Sequence, residues 1–86
     1  METRVAVISI IVEKNENTDK LNNILHDYSA FVLGRMGIPY RKRGISIISV
    51  AVEAPQSVVS ALSGKIGRID GMSVKTVYSN ETYTED

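Results

Sequence analysis

The sequence predicts an α+β fold of the ferredoxin-like, split-βαβ kind. Its elements run β-α-β-β-α-β, forming a four-stranded antiparallel sheet with two helices on one face. Three observations point there. Two runs rich in β-branched residues, VAVISIIVE (Val5–Glu13) and ISIISVAVE (Ile45–Glu53), read as strands. Each is followed by a stretch with apolar residues at helical spacing. The halves also echo one another: Ile8, Ser9, Val12 and Glu13 recur as Ile48, Ser49, Val52 and Glu53 at an offset of 40.

The first strand is bounded by the polar run Lys14-Asn-Glu-Asn17. A helix follows, predicted over 18–30. Asn17 or Thr18 suits its cap and Asp19 its first turn. Leu21, Ile24, Leu25, Tyr28 and Val32 share one face at helical spacing. Pro39 disfavours helical geometry at Ile38, and Gly34 and Gly37 weaken any helix before it. Leu33–Tyr40 therefore reads as a strand, and an edge strand, where proline's missing N–H is tolerated. Arg41-Lys-Arg-Gly44 is the hairpin loop, with Gly44 free to take positive φ. After the third strand, Pro55 suits a first helical position. Val58, Val59, Leu62 and Ile66 give the second helix its stripe over 55–66, and Gly67 ends it. Asp70-Gly71 turns the chain into the fourth strand, GMSVKTVYS. The first and third strands, the most apolar, are expected to be central and parallel. The second and fourth, carrying Arg35, Pro39 and Lys75, are expected at the edges. Residues 1–79 read as one domain and 80–86 as a flexible acidic tail.

Two helices cover one face of such a sheet, and the other face should then be polar. Here it is not. One side of the central strands carries Ala6, Ile8, Ile10 and Val12 with Ile48, Val50 and Val52. The other carries Val5, Val7, Ser9 and Ile11 with Ile45, Ile47, Ser49 and Ala51. The first set makes the unbroken bulky layer that helices need. The second, above all Val5, Val7, Ser9, Ile45, Ile47 and Ser49, is expected to be the face of a homo-oligomer, a dimer or tetramer. A domain of 86 residues is marginal alone, and with no cysteine it has no disulfide to help it.

The chemistry the chain can carry is narrow. Without cysteine, thiolate metal sites and thiol catalysis are excluded. Ten basic residues balance ten acidic ones, which argues against a duplex-coating protein. The longest apolar stretch is far short of the roughly 20 residues a membrane span needs. No signal peptide is evident at the start, so a cytoplasmic location is expected. SGKIG (Ser63–Gly67) lacks the leading glycine and the Ser/Thr of a phosphate loop and sits at a helix end. Gly34-Arg-Met-Gly37 has the spacing of a KH-domain loop, but Pro39 leaves no room for the following helix. The first and third strands hold no aromatic, against the base-stacking of RNA-recognition sheets. His26 reads as a solvated residue on a polar helix face, since a metal site needs several convergent ligands. Glu13 and Glu53 end strands expected to be adjacent and parallel, which would place them near each other; they read as polar strand ends facing water, with acid–base work or binding of a hard cation as the alternative. No metal, cofactor or catalytic residue is expected.

The run from Phe31 to Ser79 resembles a prokaryotic family of iron-only hydrogenase system regulators. The resemblance rests on GRMGIPY, the GISIISVA strand, the AP-Q opening of the second helix, LSGKIG and SVKTVYS. It extends over about Arg4 to Ser79. It implies a ferredoxin-like fold akin to ACT domains and to the C-terminal regulatory domain of the nickel-responsive repressor, together with a regulatory role. It carries over no ligand or catalytic residue. The nickel-responsive domain uses several histidines and a cysteine, whereas this chain has only His26. The glycine that ACT domains place after their first strand is absent from Glu13–Asn17. The repressor's separate DNA-binding domain has no counterpart in this length, so any DNA contact would need a partner protein.

The expected function is a non-enzymatic regulatory or interaction module that acts as a homo-oligomer and contacts a small ligand or partner protein. Gly34, Arg35, Met36, Gly37 and Tyr40 are its candidate contact residues. Arg35 suits either two-pronged pairing with a carboxylate or phosphate, or a salt bridge between subunits. The rival reading is a small enzyme using Glu13, Glu53 and His26. A third is nucleic-acid binding through Arg41-Lys42-Arg43.

Overall fold

A computed structural model of the chain describes residues 1–84. Its elements are β1 (Glu2–Val12), α1 (Thr18–Asp27), β2 (Val32–Tyr40), β3 (Ile45–Ala54), α2 (Gln56–Gly67), β4 (Met72–Tyr78) and a short β5 (Tyr83–Thr84). The sheet order is β2-β3-β1-β4, with β5 pairing the start of β1. The ferredoxin-like arrangement, with β1 and β3 central, is therefore present.

The direction of the central pair differs from expectation. β1 and β3 are antiparallel, with Val5 opposite Glu53, Ser9 opposite Ser49 and Val12 opposite Ser46. The reason is topological. The crossover through α1 leaves β2 running the same way as β1. The tight hairpin at Arg41–Gly44 then reverses the chain, so β3, seated between the two, opposes both.

The alternation of side chains decides what is covered. Ala6, Ile8, Ile10 and Val12 of β1 and Ile48, Val50, Val52 and Ala54 of β3 are buried beneath the helices. From α1, Leu21 and Leu25 meet them; from α2, Val59, Leu62 and Ile66. Burial of each such Ile or Leu stabilises the fold by about 1.5–3 kcal/mol relative to exposure.

Helix ends depart slightly from the sequence reading. α1 stops at Asp27, and Ser29–Phe31 form a single 3-10 turn that delivers the chain into β2. Neither candidate caps α1 with its side chain. The Thr18 hydroxyl donates to the Asn15 carbonyl, and the Asn17 amide donates to the Asp70 carbonyl. Pro55 stands one residue before α2, its carbonyl accepting from the N–H groups of Val58 and Val59.

At one end of the sheet, two loops are clasped together. Glu13 N–H donates to Gly71 O at 2.7 Å, and the Lys14 ammonium meets the Asp70 carboxylate at 2.6 Å. Gly71 has φ 81°, and a Cβ there would lie 2.5 Å from Lys14 Cβ. Only glycine fits both the conformation and the approach. At the other end, Tyr83 and Thr84 pair with Thr3 and Glu2. Two residues of the segment read as a tail thus extend the sheet; residues 85–86 of that segment lie outside the described residues.

Candidate functional site: an open sheet face and an edge cleft

The face away from the helices can be read row by row from the strand register. Gly34, Ala51, Val7 and Val77 form one row across β2, β3, β1 and β4. Met36, Ser49, Ser9 and Lys75 form the next, and Ile38, Ile47, Ile11 and Ser73 the third. No element of the described residues covers these rows. Val77 is 67% exposed, Met36 64% and Ile47 43%. The middle is built of small side chains, with shallow hollows of about 410 and 270 Å³ on either side of the serine pair. Isoleucines rise along one flank. The residues named from the sequence for the second face, Val7, Ser9, Ile47 and Ser49, all lie here, with Val5 and Ile45 half-buried toward the strand ends. Ile38 and Val77 were not singled out. Period-two spacing from Met36 would have found Ile38, and Val77 follows from Lys75 in the same way.

The candidate contact residues of β2 divide between the faces. Met36 and Tyr40 pair with Ser49 and Ile45 on the open face. Arg35, one residue from Met36, pairs with Val50 and points toward the helices. Its Nη1 donates to Asn22 Oδ1 on α1 at 3.1 Å. The side chains of Arg35 and Met36 therefore leave β2 on opposite faces, although both residues border the 270 Å³ hollow of the open face. Gly34 and Gly37 fall on opposite sides in the same alternation, and neither has positive φ.

On the helix side, β2 projects past the edge of α1 and leaves a cleft of about 370 Å³. Its floor is Leu25, Val32 and Val50, and its rim is Asn22, His26, Ser29 and Arg35. His26, expected to be merely solvated, is exposed but belongs to this rim.

The expected carboxylate pair does not form. Because β1 and β3 are antiparallel, Glu53 lies opposite Val5 while Glu13 follows the far end of β1. Eight residues of extended strand, roughly 26 Å, separate the two levels. Glu53 accepts the Thr3 hydroxyl at 2.7 Å, and Glu13 accepts that of Ser73. Both are engaged locally. Among the described residues, no group of three or more His, Cys, Asp or Glu is placed to hold a metal ion. No helix of the described residues is long and apolar enough to cross a membrane. The Lys14–Asp70 contact holds the lysine above and the aspartate below its ordinary pKa, through their hydrogen bond and then their charges.

Comparison with known proteins supplies the context. Residues 4–76 match the family model described as "TM1266-like: Iron-only hydrogenase system regulator, putative". The chain belongs to this family of iron-only hydrogenase system regulators. The solved structure of the uncharacterized protein TM1266 from Thermotoga maritima superposes on this family member with a TM-score of 0.84 at 34% identity, covering 88% of this chain and 96% of that one. A formyltetrahydrofolate deformylase from Pseudomonas putida KT2440 matches with a TM-score of 0.65 at 14% identity, over 90% of this chain and 29% of the enzyme. That likeness concerns the fold alone. Comparison with curated proteins gave no match. The regulator family's description agrees with the expectation drawn from GRMGIPY and SVKTVYS.

Proposed function

We propose that this regulator is a non-enzymatic module that works as a homo-oligomer, its subunits associating through the open sheet face. The observation that carries the reading is the row structure of that face. A contiguous apolar surface of this kind is unusual on a monomer and marks an interaction site. A second copy suits it better than an unrelated partner. The face holds a row of isoleucines beside a centre of small residues, so one copy's isoleucines fit over the other's serines and alanine. Two such sheets pack face to face about 10 Å apart. Lys75 is the only charged side chain in the three rows, so two copies meet with little charge to desolvate.

Regulation then follows from ligand or partner contacts made away from the buried face, on the β2 edge and the helix side. Sedimentation equilibrium of the 86-residue chain tests the reading. A dimer or tetramer at micromolar concentration supports it, and a monomer throughout that range overturns it.

A further inference from the structure

The two halves of the chain repeat one another, and the cleft is where the repeat breaks. The 40-residue offset carries Ile10 onto Val50. Arg35 pairs with Val50, and Val74 pairs with Ile10, so Arg35 and Val74 occupy equivalent places on the helix side of the two edge strands. Gly37 and Pro39 correspond in the same way to Thr76 and Tyr78. In the second half these places are filled. Val74 and Tyr78 pack against the core, and Thr76 and the α2 residue Ser63 are 2.9 Å apart through their hydroxyls. In the first half, arginine, glycine and proline stand instead, and of these Arg35 borders the cleft, with its pairing partner Val50 on the floor.

The cation in that space is not neutralised. Among the described residues Arg35 is in no salt bridge; its one hydrogen-bond partner is the uncharged Asn22 amide. A guanidinium has five N–H donors, so most remain available. The amide holds the group in place without cancelling its charge. Beneath it lies a fully apolar floor. A cation on the rim over an aliphatic floor selects a small molecule with an anionic head and an apolar body.

We propose that this cleft binds a small amphipathic organic anion, a carboxylate or phosphate monoester with a short aliphatic body. Arg35 takes the head, and Leu25, Val32 and Val50 take the body. At about 370 Å³ the cleft is at the lower end of ligand sites. It therefore suits a ligand of small-metabolite size. The proposal names the ligand class of the regulatory reading and rests on it only for its biological meaning. The cleft lies on the opposite side of the sheet from the proposed subunit interface, so the two fail separately.

The test is an NMR titration of the full chain, with isovalerate and isobutyl phosphate as probes and acetate and inorganic phosphate as their truncated counterparts. We expect saturable shifts in the millimolar range at Asn22, His26 and Arg35 and at the methyls of Leu25, Val32 and Val50. Acetate and phosphate should bind at least about tenfold more weakly, because they leave the floor empty. Arg35→Gln should weaken binding by about ten- to a hundredfold, with Arg35→Lys between, since lysine keeps the charge but loses the fork. Which of the two longer probes binds tighter assigns the head group. Repeating the titration with Ile47→Asp, while measuring its mass, separates ligand binding from assembly. Absence of saturable binding, shifts that map outside the cleft, or equal affinity in Arg35→Gln overturns the site. So do cleft shifts that track protein concentration alone, which would mean that a second copy fills it.

Discussion

Ser9 and Ser49 stand directly opposite one another where β1 pairs with β3, and they are also each other's counterparts in the internal repeat. Both statements hold together only on the pseudo-two-fold axis, which therefore pierces the sheet between the two serines. The centre of symmetry of the subunit is also the low point of its open face. Charge placed beside this point should oppose association while leaving the fold intact, because the positions are solvent-exposed in the single subunit. Ile47→Asp, and independently Val77→Asp on the edge strand, should each raise the subunit dissociation constant at least about a hundredfold. Sedimentation velocity reads the loss of assembly, and an unchanged far-UV spectrum excludes unfolding as its cause.

Gly71 and Gly44 both have positive φ, but only Gly71 has a neighbour where a Cβ would stand. Gly44→Ala should cost about 1 kcal/mol, the conformational penalty alone. Gly71→Ala should cost about 2–4 kcal/mol, because the new methyl also displaces the root of the Lys14 side chain. Urea denaturation midpoints at unchanged slope give the comparison. Equal losses would show that the clasp yields without cost.

The Lys14–Asp70 pair should leave a pH signature with a defined sign. Asp70 is held below its ordinary pKa, so its contribution is present above about pH 4 and is lost as pH falls through the lowered value. Lys14 is held above its own, so its contribution is present below about pH 10.4 and is lost as pH rises through the raised value. Between these limits both are charged and the clasp is intact. Both groups are exposed, so salt should weaken the effect. Lys14→Met should return the Asp70 titration, followed by NMR, toward the usual carboxylate range. An Asp70 titration that stays where it was would separate the shift from the lysine.

Element type and the covered face were legible because β-branched runs with period-two alternation leave little freedom. Ile8, Ile10 and Val12 offer a bulkier layer than Val7, Ser9 and Ile11, and that difference alone selects the side for the helices. Strand direction was a matter of counting reversals, and a parallel β1–β3 pair misplaced Glu13 beside Glu53. The grouping of Arg35 with Met36 and Tyr40 overlooked that neighbours along a strand face opposite ways. The cleft itself was not legible. Its lining comes from α1, from the turn after it and from β2 and β3, residues that only the folded chain brings together. Pairing of Tyr83 and Thr84 with β1 was likewise hidden, since an acidic context obscured two good strand formers.

The position of β1 has a consequence for how the chain finds its structure. Its residue Ser9 is 40 residues from one partner, Ser49, and 66 from the other, Lys75. The β2–β3 hairpin, by contrast, closes between Tyr40 and Ile45. Loop-closure entropy favours the hairpin early and delays β1 until both β3 and β4 can receive it. Until then the inner edge of β3 is unpaired and richly apolar, a template for strands from other chains. The strand that precedes its two partners in sequence is thus the one whose insertion protects the β3 edge from pairing with other chains.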